Sequence, residues 1–499
     1  MVADKVEIHT LSHKEGATPV RWECEGDPNY KLGDGDRTTR GTEITLHISD
    51  DAVEYLEEFK INELLNKYCK FLPIEIQFGE EENTQTTTDA DGKETEETLT
   101  TPKVINNPNP AWTKKPADLT DEDYKNFYKE LYPYSMDEPL FWIHLNVDYP
   151  FNLTGILYFP KLKNNVEVKK DKIGLYCNQV FVTDNVEAII PEFLGLLHGV
   201  IDSPDIPLNV SRSYLQGDQN VKRISSHITK KVASKLEDMF KKDRAGFEDK
   251  WKDIGVFLKY GILSNEKFAD KAKKFSLLHT MNDEYFTLEE LTEKVKANQT
   301  DKNDKVVMLY TTHTDEQDGY IQSCLAKGYE VIKFNTIIDP HFVGWVDQSN
   351  DNITFKRVDA DITDNLVEKD EEQTSVLNEE QETTLKGLFG KLMGENSTIN
   401  VETKALSPDE MPVLITKPEL MRRYRDMSAY NGMGMGEMPE MYNLVVNSNH
   451  PIAGKILEEK DETAQTALVK QLHDLALLSQ NMLKGADLTN FIKRSVNLV

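Results

Sequence analysis

The chain has 499 residues, with 58 Lys and Arg against 86 Asp and Glu and a net charge of −28. That length exceeds a single hydrophobic core and fits roughly three domains at about 150 residues each. The acidity argues against nucleic acid or an anionic membrane as the main partner, and 38% hydrophobic with 9% aromatic residues excludes a globally disordered chain.

Cys24, Cys69, Cys177 and Cys324 stand far apart with no Cys-x-x-Cys pair. A disulfide scaffold or thiolate zinc site is therefore not expected, and a reducing cytoplasm fits best. No apolar h-region opens the sequence, and no run of about 18 apolar residues occurs. A cytoplasmic protein with no membrane and no nucleic-acid partner is the expectation.

Residues 5–48 read as short strands and turns, ending in the alternating Glu43–Ile48. Helical spacing follows in Tyr55, Leu56, Phe59, Leu64 and Tyr68, then a strand over Ile74–Phe78. From Glu80 to Glu97 there are eight acids, one lysine and no apolar period, which predicts a solvated linker over 79–110. Residues 111–360 form a long α/β stretch. Phe141, Ile143, Leu145 and Val147 alternate on a strand, Gly155–Phe159 and Ile173–Val182 are further strands, and Val186–Val200 is expected to be helical. Asp218 can cap a helix carrying Val221, Ile224, Ile228, Val232, Leu236 and Phe240 in one stripe. Val306–Tyr310, a helix near Glu316–Lys327, and Glu330–Phe334 have the spacing of a parallel crossover. Ten acids between Asp359 and Glu382 mark an expected boundary.

Seven of the fourteen methionines fall within 411–441. Mixed with Arg422, Arg423, Arg425 and three glycines, they read either as core filler or as an exposed segment adaptable to varied apolar partners. Two helices close the chain. Leu468, Leu472, Leu475, Leu478 and Met482 make one stripe, Gly485 ends that helix, and Asp487 caps the next, with Phe491 and Ile492. So apolar a pair needs a partner surface.

Catalytic signatures are sparse. There is no Gly-x-Ser-x-Gly, His-Glu-x-x-His or Walker loop, and Asn431–Gly436 reads as a flexible loop rather than a dinucleotide turn. His9 and His13 share a face without a third ligand, so no metal is expected. Arg212, just before a capped helix, is either a surface ion-pair residue or a fixed fork for a γ-phosphate.

Arg40–Glu58 (RGTEITLHISDDAVEYLEE) resembles the closing strand and helix of the nucleotide domain in the ninety-kilodalton heat-shock chaperones. The resemblance continues through 111–132 and is most specific at VFVTDNVEAIIPEFLGLLHGVIDSPDIPLNVSRSYLQ (180–216), the middle-domain signature. The last helices resemble the family's dimerisation pair. No acidic C-terminal pentapeptide is present, which implies the bacterial branch. The fold implied is α/β and α+β multidomain. Residues 1–78 would be a remnant of the nucleotide-binding domain, 79–110 the linker, and 111–360 a middle domain of α-β-α sandwich type. Residues 361–499 would be a smaller α+β domain ending in a helical dimerisation bundle.

What the resemblance implies for function is an ATP-dependent dimeric clamp that binds partly folded client proteins. Arg212 would contact the γ-phosphate with Gln216 beside it, and Thr42 would lie near the adenine. Relatives often carry arginine where Asn178 and Gln179 stand, so a second basic contact is not expected there. Clients would meet Met421, Met427, Met433, Met435 and Met438. A homodimer would form through Leu472, Leu475, Leu478, Met482, Phe491 and Ile492. ATP and Mg serve the full-length family. Most of their pocket has no counterpart in this sequence, so neither cofactor nor ATP hydrolysis is expected of this chain alone. The alternative reading is a passive dimeric scaffold without client binding.

Overall fold

The computed structural model describes residues 2–88, 94–161, 173–187, 189–206, 219–369, 374–393, 399–417 and 442–496. The chain divides into two compact units, Met1–Ile228 and Thr229–Val499. Among the described residues no helix is long and apolar enough to cross a membrane.

The first unit opens with β1 (Ala3–Leu11), β2 (Val20–Cys24), β3 (Lys31–Asp34) and β4 (Gly41–Ile48), an antiparallel sheet in the order β3-β2-β1-β4. Period-two alternation puts Lys5, Glu7 and His9 on one face of β1. Glu7 is ringed there by Lys5 at 2.9 Å, Arg21 at 2.7 Å and His47 at 3.0 Å. These hydrogen bonds, Lys5 first, pull its carboxyl down to about 2. His9 pairs with Asp36 at 3.1 Å. His13 lies past the end of the strand.

Helix α1 (Glu58–Tyr68) leads to β5 (Gln77–Thr88) and β6 (Glu94–Val104). Where a solvated linker is expected, these two strands pair as an antiparallel ribbon, in which Glu82 faces Thr100 and Glu81 faces Thr101. Threonine's β-branched side chain favours strand geometry, a preference that the charge count concealed.

Helix α2 (Asp121–Leu131) is started by a capping box: Thr120 accepts from the Asp123 amide, and Asp123 accepts from the Thr120 amide at 2.8 Å. It buries Tyr124, Phe127 and Tyr128 with Phe71, Trp112 and Tyr158. Next come β7 (Phe141–Val147), β8 (Leu153–Phe159), β9 (Ile173–Cys177), β10 (Val180–Thr183) and β11 (His198–Asp202), ordered β10-β9-β11-β8-β7. Strand β7 alternates as its residues predict.

The helix expected over Val186–Val200 is absent. A short 3-10 turn, Glu192–Leu194, precedes β11, which runs parallel to β9 and antiparallel to β8. Pro191 breaks a helix there, and the open slot between two strands rewards an extended chain with backbone hydrogen bonds. Gly199, at φ 133°, has no room for a side chain: a Cβ would lie 2.0 Å from the Ile156 carbonyl oxygen.

Helix α3 (Gln219–Lys242) is followed by α4 (Arg244–Ser264) and α5 (Glu266–Ala272). A small hairpin of β12 (Leu277–His279) and β13 (Tyr285–Thr287) leads into α6 (Leu288–Val295). The predicted crossover is present as β14 (Val306–Thr311), α7 (Asp318–Ala326) and β15 (Val331–Lys333), with β14 and β15 parallel. After α8 (Asp339–Ser349), β16 (Ile353–Arg357) completes a sheet in the order β15-β14-β16. The second acidic stretch begins inside this core. Asp359 is buried against Arg357, and Ile362, Leu366 and Val367, in and beside α9 (Thr363–Leu366), are buried too.

The last part packs α10 (Glu379–Met393), α11 (Pro451–Glu458), α12 (Glu462–Ser479) and α13 (Gly485–Val496) with a sheet of β17 (Asn400–Lys404), β18 (Val413–Thr416) and β19 (Asn443–Asn447). The sheet order is β17-β19-β18, with β17 parallel to β19. Leu385, Phe389, Ile415, Leu444, Ile456 and Val469 are buried together in its core. A mixed α/β, multi-sheet architecture is thus observed in both units.

Candidate functional site

Arg212, Gln216, Met421, Met427, Met433, Met435 and Met438 lie outside the described residues. Thr42 is exposed on β4, opposite Thr10 of β1, with the two hydroxyls 2.8 Å apart. Among the described residues no group of His, Cys, Asp and Glu could hold a metal ion.

The described site with the most to say is the terminal helix pair. Asp461 caps α12 by accepting from the Thr463 amide at 2.9 Å, and Gln465 Nε2 donates to the Ile456 carbonyl at 2.8 Å, tying α12 to α11. The predicted leucine stripe is divided. Val469, Leu472 and Ala476, spaced three and four apart, face the chain's own core, and Leu468 and Met482 pack beside them. Leu475 and Leu478 point away, 45% and 41% exposed. Phe491 on α13 is buried, whereas Ile492 and Val496, four apart on one helical face, are 53% and 68% exposed. The turn also differs from the reading of the sequence. Helix α12 ends at Ser479, and Gly485 opens α13 at φ 59°, so Asp487 lies in the first turn of α13 rather than at its cap.

Between the helices lies a polar clip. Asp474 is only 2% exposed, and its carboxylate takes Arg494 Nη2 at 2.6 Å, Lys470 Nζ at 3.4 Å and His473 Nδ1 at 3.2 Å. Arg494 Nε also donates to Gln471 Oε1 at 2.7 Å, and Gln471 Nε2 donates to Ser495 Oγ at 2.9 Å. Burial holds His473 below the usual histidine range, although the hydrogen bond to Asp474 pulls it back up. Its Nε2 is buried with no hydrogen-bond partner. Glu462, Thr463, Thr466, Ala467, Lys470 and Arg494 line a shallow depression of about 480 Å³ beside the clip.

These clip residues were not singled out in the sequence. A signal was present: Asp474 interrupts an otherwise apolar run, LHDLALL, and a buried acid needs a cation. Which cation, twenty residues away, could not be read. Asn178 and Gln179 likewise have a structural task. Both take positive φ, at 50° and 65°, to turn β9 into β10. Gln179 Nε2 donates to the carbonyls of Phe71 and Pro108, at 2.9 and 3.0 Å, while its amide donates to Asp202 at 2.8 Å. Burial pushes the Asp202 carboxyl up, partly offset by donation from the Gln179 amide and the Trp112 indole.

Comparison with known proteins gives consistent relatives. The family model described as "Hsp90 protein" matches residues 77–499. The "Chaperone protein HtpG" of Bacteroides fragilis is 45% identical in an alignment covering 100% of this chain and 82% of that protein. The protein of the same description from Porphyromonas gingivalis is 48% identical over 98% of this chain and 71% of its own length. That of Myxococcus xanthus is 27% identical over 100% and 76%.

Proposed function

Because the chain belongs to the Hsp90 family, in its HtpG branch, we propose that it acts as a molecular chaperone, a dimeric clamp whose arms hold partly folded proteins. The observation that carries the dimer is the divided apolar stripe. Leu472 and Phe491 lock α12 and α13 to their own subunit, leaving Leu475, Leu478, Ile492 and Val496 open to water. Burying such residues against their copies, as a four-helix bundle about a twofold axis, removes that apolar area from water at about 25 cal/mol per Å². The polar clip supports this reading, because it stiffens the pair from within and leaves the open faces free.

In this reading, residues 111–360 are the arm, 361–499 the dimerising base, and the methionines at 421, 427, 433, 435 and 438 the adaptable client surface. Arg212 and Gln216 are assigned to the γ-phosphate of a docked nucleotide, and Thr42 to the adenine side, on the family resemblance alone. A cytoplasmic setting belongs to the same proposal.

Light scattering of a heat-aggregating protein, with and without the chain and in the absence of nucleotide, tests it. Dose-dependent suppression that weakens in the double variant Met433→Ser, Met435→Ser supports a client surface in that segment. A chain that dimerises yet gives no suppression at molar excess is a scaffold, and the client-binding reading fails.

A further inference from the structure

The sheet of β1–β4 sorts its side chains by face. Its strand registers bring Leu32, Trp22, Ile8 and Ile44 into one cross-strand row, and Cys24, Val6 and Leu46 into the next. The opposite face carries the ion pairs of Glu7 with Lys5, Arg21 and His47. None of the side chains in β1–β4 is buried. Leu32, Ile44 and Leu46 are 67%, 60% and 49% exposed, and Val6, Ile8 and Trp22 are only half-buried. A contiguous apolar face left in water marks a place where another chain binds.

The edge of this sheet is open as well. The order β3-β2-β1-β4 puts β4 outermost, and among the described residues its strand partner is β1 alone. The eight residues Gly41–Ile48 thus present a row of backbone donors and acceptors, with Ile44 and Leu46 beside it. Sheet edges are commonly blunted by proline, by a bulge or by a charge on the apolar side. Residues 41–48 contain no proline, and Thr42, Ile44 and Leu46 bring no charge to the apolar face.

We infer, resting on the chaperone role proposed above, that β4 captures an extended segment of a partly folded protein by strand addition. An open edge selects an extended chain, because a helix satisfies its backbone groups internally. The pleat selects alternation. One side of the added strand joins the row of Ile44 and Leu46, and the other lies beside Glu43, Thr45 and His47. A net charge of −28, with Asp50 and Asp51 just past the strand, favours neutral or basic residues at the polar positions. Eight residues of strand span about 27 Å, so the segment is about seven or eight residues long. Unpaired strands of that kind are abundant in partly folded chains and scarce in native ones.

The test uses the full chain and a fluorescently labelled octapeptide, in which valine alternates with threonine between terminal lysines, read by anisotropy. Binding is expected, and an isomeric peptide with its valines grouped together should lose it. Methylating the three valine amides or the three threonine amides blocks opposite edges of the peptide. One set should weaken binding at least about tenfold and the other far less, since only one edge meets β4. Equal binding of the two methylated peptides would overturn the inference. The double variant Ile44→Thr, Leu46→Thr keeps strand propensity at exposed positions, so its melting temperature should hold while binding weakens about fivefold or more. Undiminished binding by that variant would also overturn it. So would slow hydrogen exchange at every amide of residues 42–48 without peptide, which would show the edge already occupied by this chain or a second copy. Suppression of aggregation that persists while the octapeptide fails to bind would remove the strand-addition site and leave the chaperone role standing. Octapeptide binding without suppression would leave the edge site standing without that role.

Discussion

Arg494 Nη2 stands 2.6 Å from the buried Asp474 Oδ2, and this contact ties α13 to α12. A carboxylate almost wholly removed from water must be paired, so the last helix is held in one rotation about its axis. Its Phe491 then faces inward, and Ile492 outward.

Removing Arg494 should therefore cost stability even though it touches no ligand. Arg494→Ala leaves Asp474 with Lys470 and His473 only, and breaking a buried pair on one side costs about 3 kcal/mol. Urea denaturation reads the change in midpoint, and Arg494→Lys should recover only part of it, lacking the second donor to Gln471. Equal midpoints for wild type and Arg494→Ala would mean that the clip contributes nothing.

The two halves of the leucine stripe should respond differently. Leu475→Asp or Leu478→Asp places a charge in the proposed seam and should yield monomers by multi-angle light scattering. Leu472→Ala instead opens a cavity in the subunit core, costing about 2–4 kcal/mol with the dimer mass retained. A dimer that survives both aspartate variants would remove the proposed interface.

Acid should loosen both units. Burial holds His144 and His473 below the ordinary histidine value, so the folded protein favours their neutral forms. Each then contributes stability that is complete above the unfolded value of about 6.5 and is lost as pH falls from there through the depressed folded value. Melting temperature measured from pH 7.5 to 5 should fall, and His473→Gln should flatten part of the slope. A slope unchanged in that variant would show that His473 is not among the groups responsible.

Gln179→Ala should destabilise the first unit by about 1–3 kcal/mol, because the carbonyls of Phe71 and Pro108 lose their donor. Hydrogen exchange would show the effect as faster exchange around residues 71 and 108. A glycine at 179 should recover only part of the loss: it eases the positive φ but supplies no side-chain amide.

Much of the fold was legible where local pattern and tertiary demand agree. The alternation of Phe141–Val147, the crossover from Val306 to Phe334 and the stripe on α3 each carry their own period, and each forms as expected. The failures share a cause. The strand at His198–Asp202 exists because β8 and β9 leave a slot for it, and the ribbon at 77–104 because each strand supplies the other's partners. Neither fact is contained in a short window of residues.

The sequence alone determined the family resemblance, the acidic balance and the apolar character of the last two helices, since composition and helical period are properties of the chain itself. Only the tertiary structure decided that Leu472 serves the core while Leu475 and Leu478 stay open, that Asp474 is answered by Arg494, and that Gln179 braces two distant carbonyls. Each depends on which surfaces meet in space, and burial free energy, not local spacing, makes that choice.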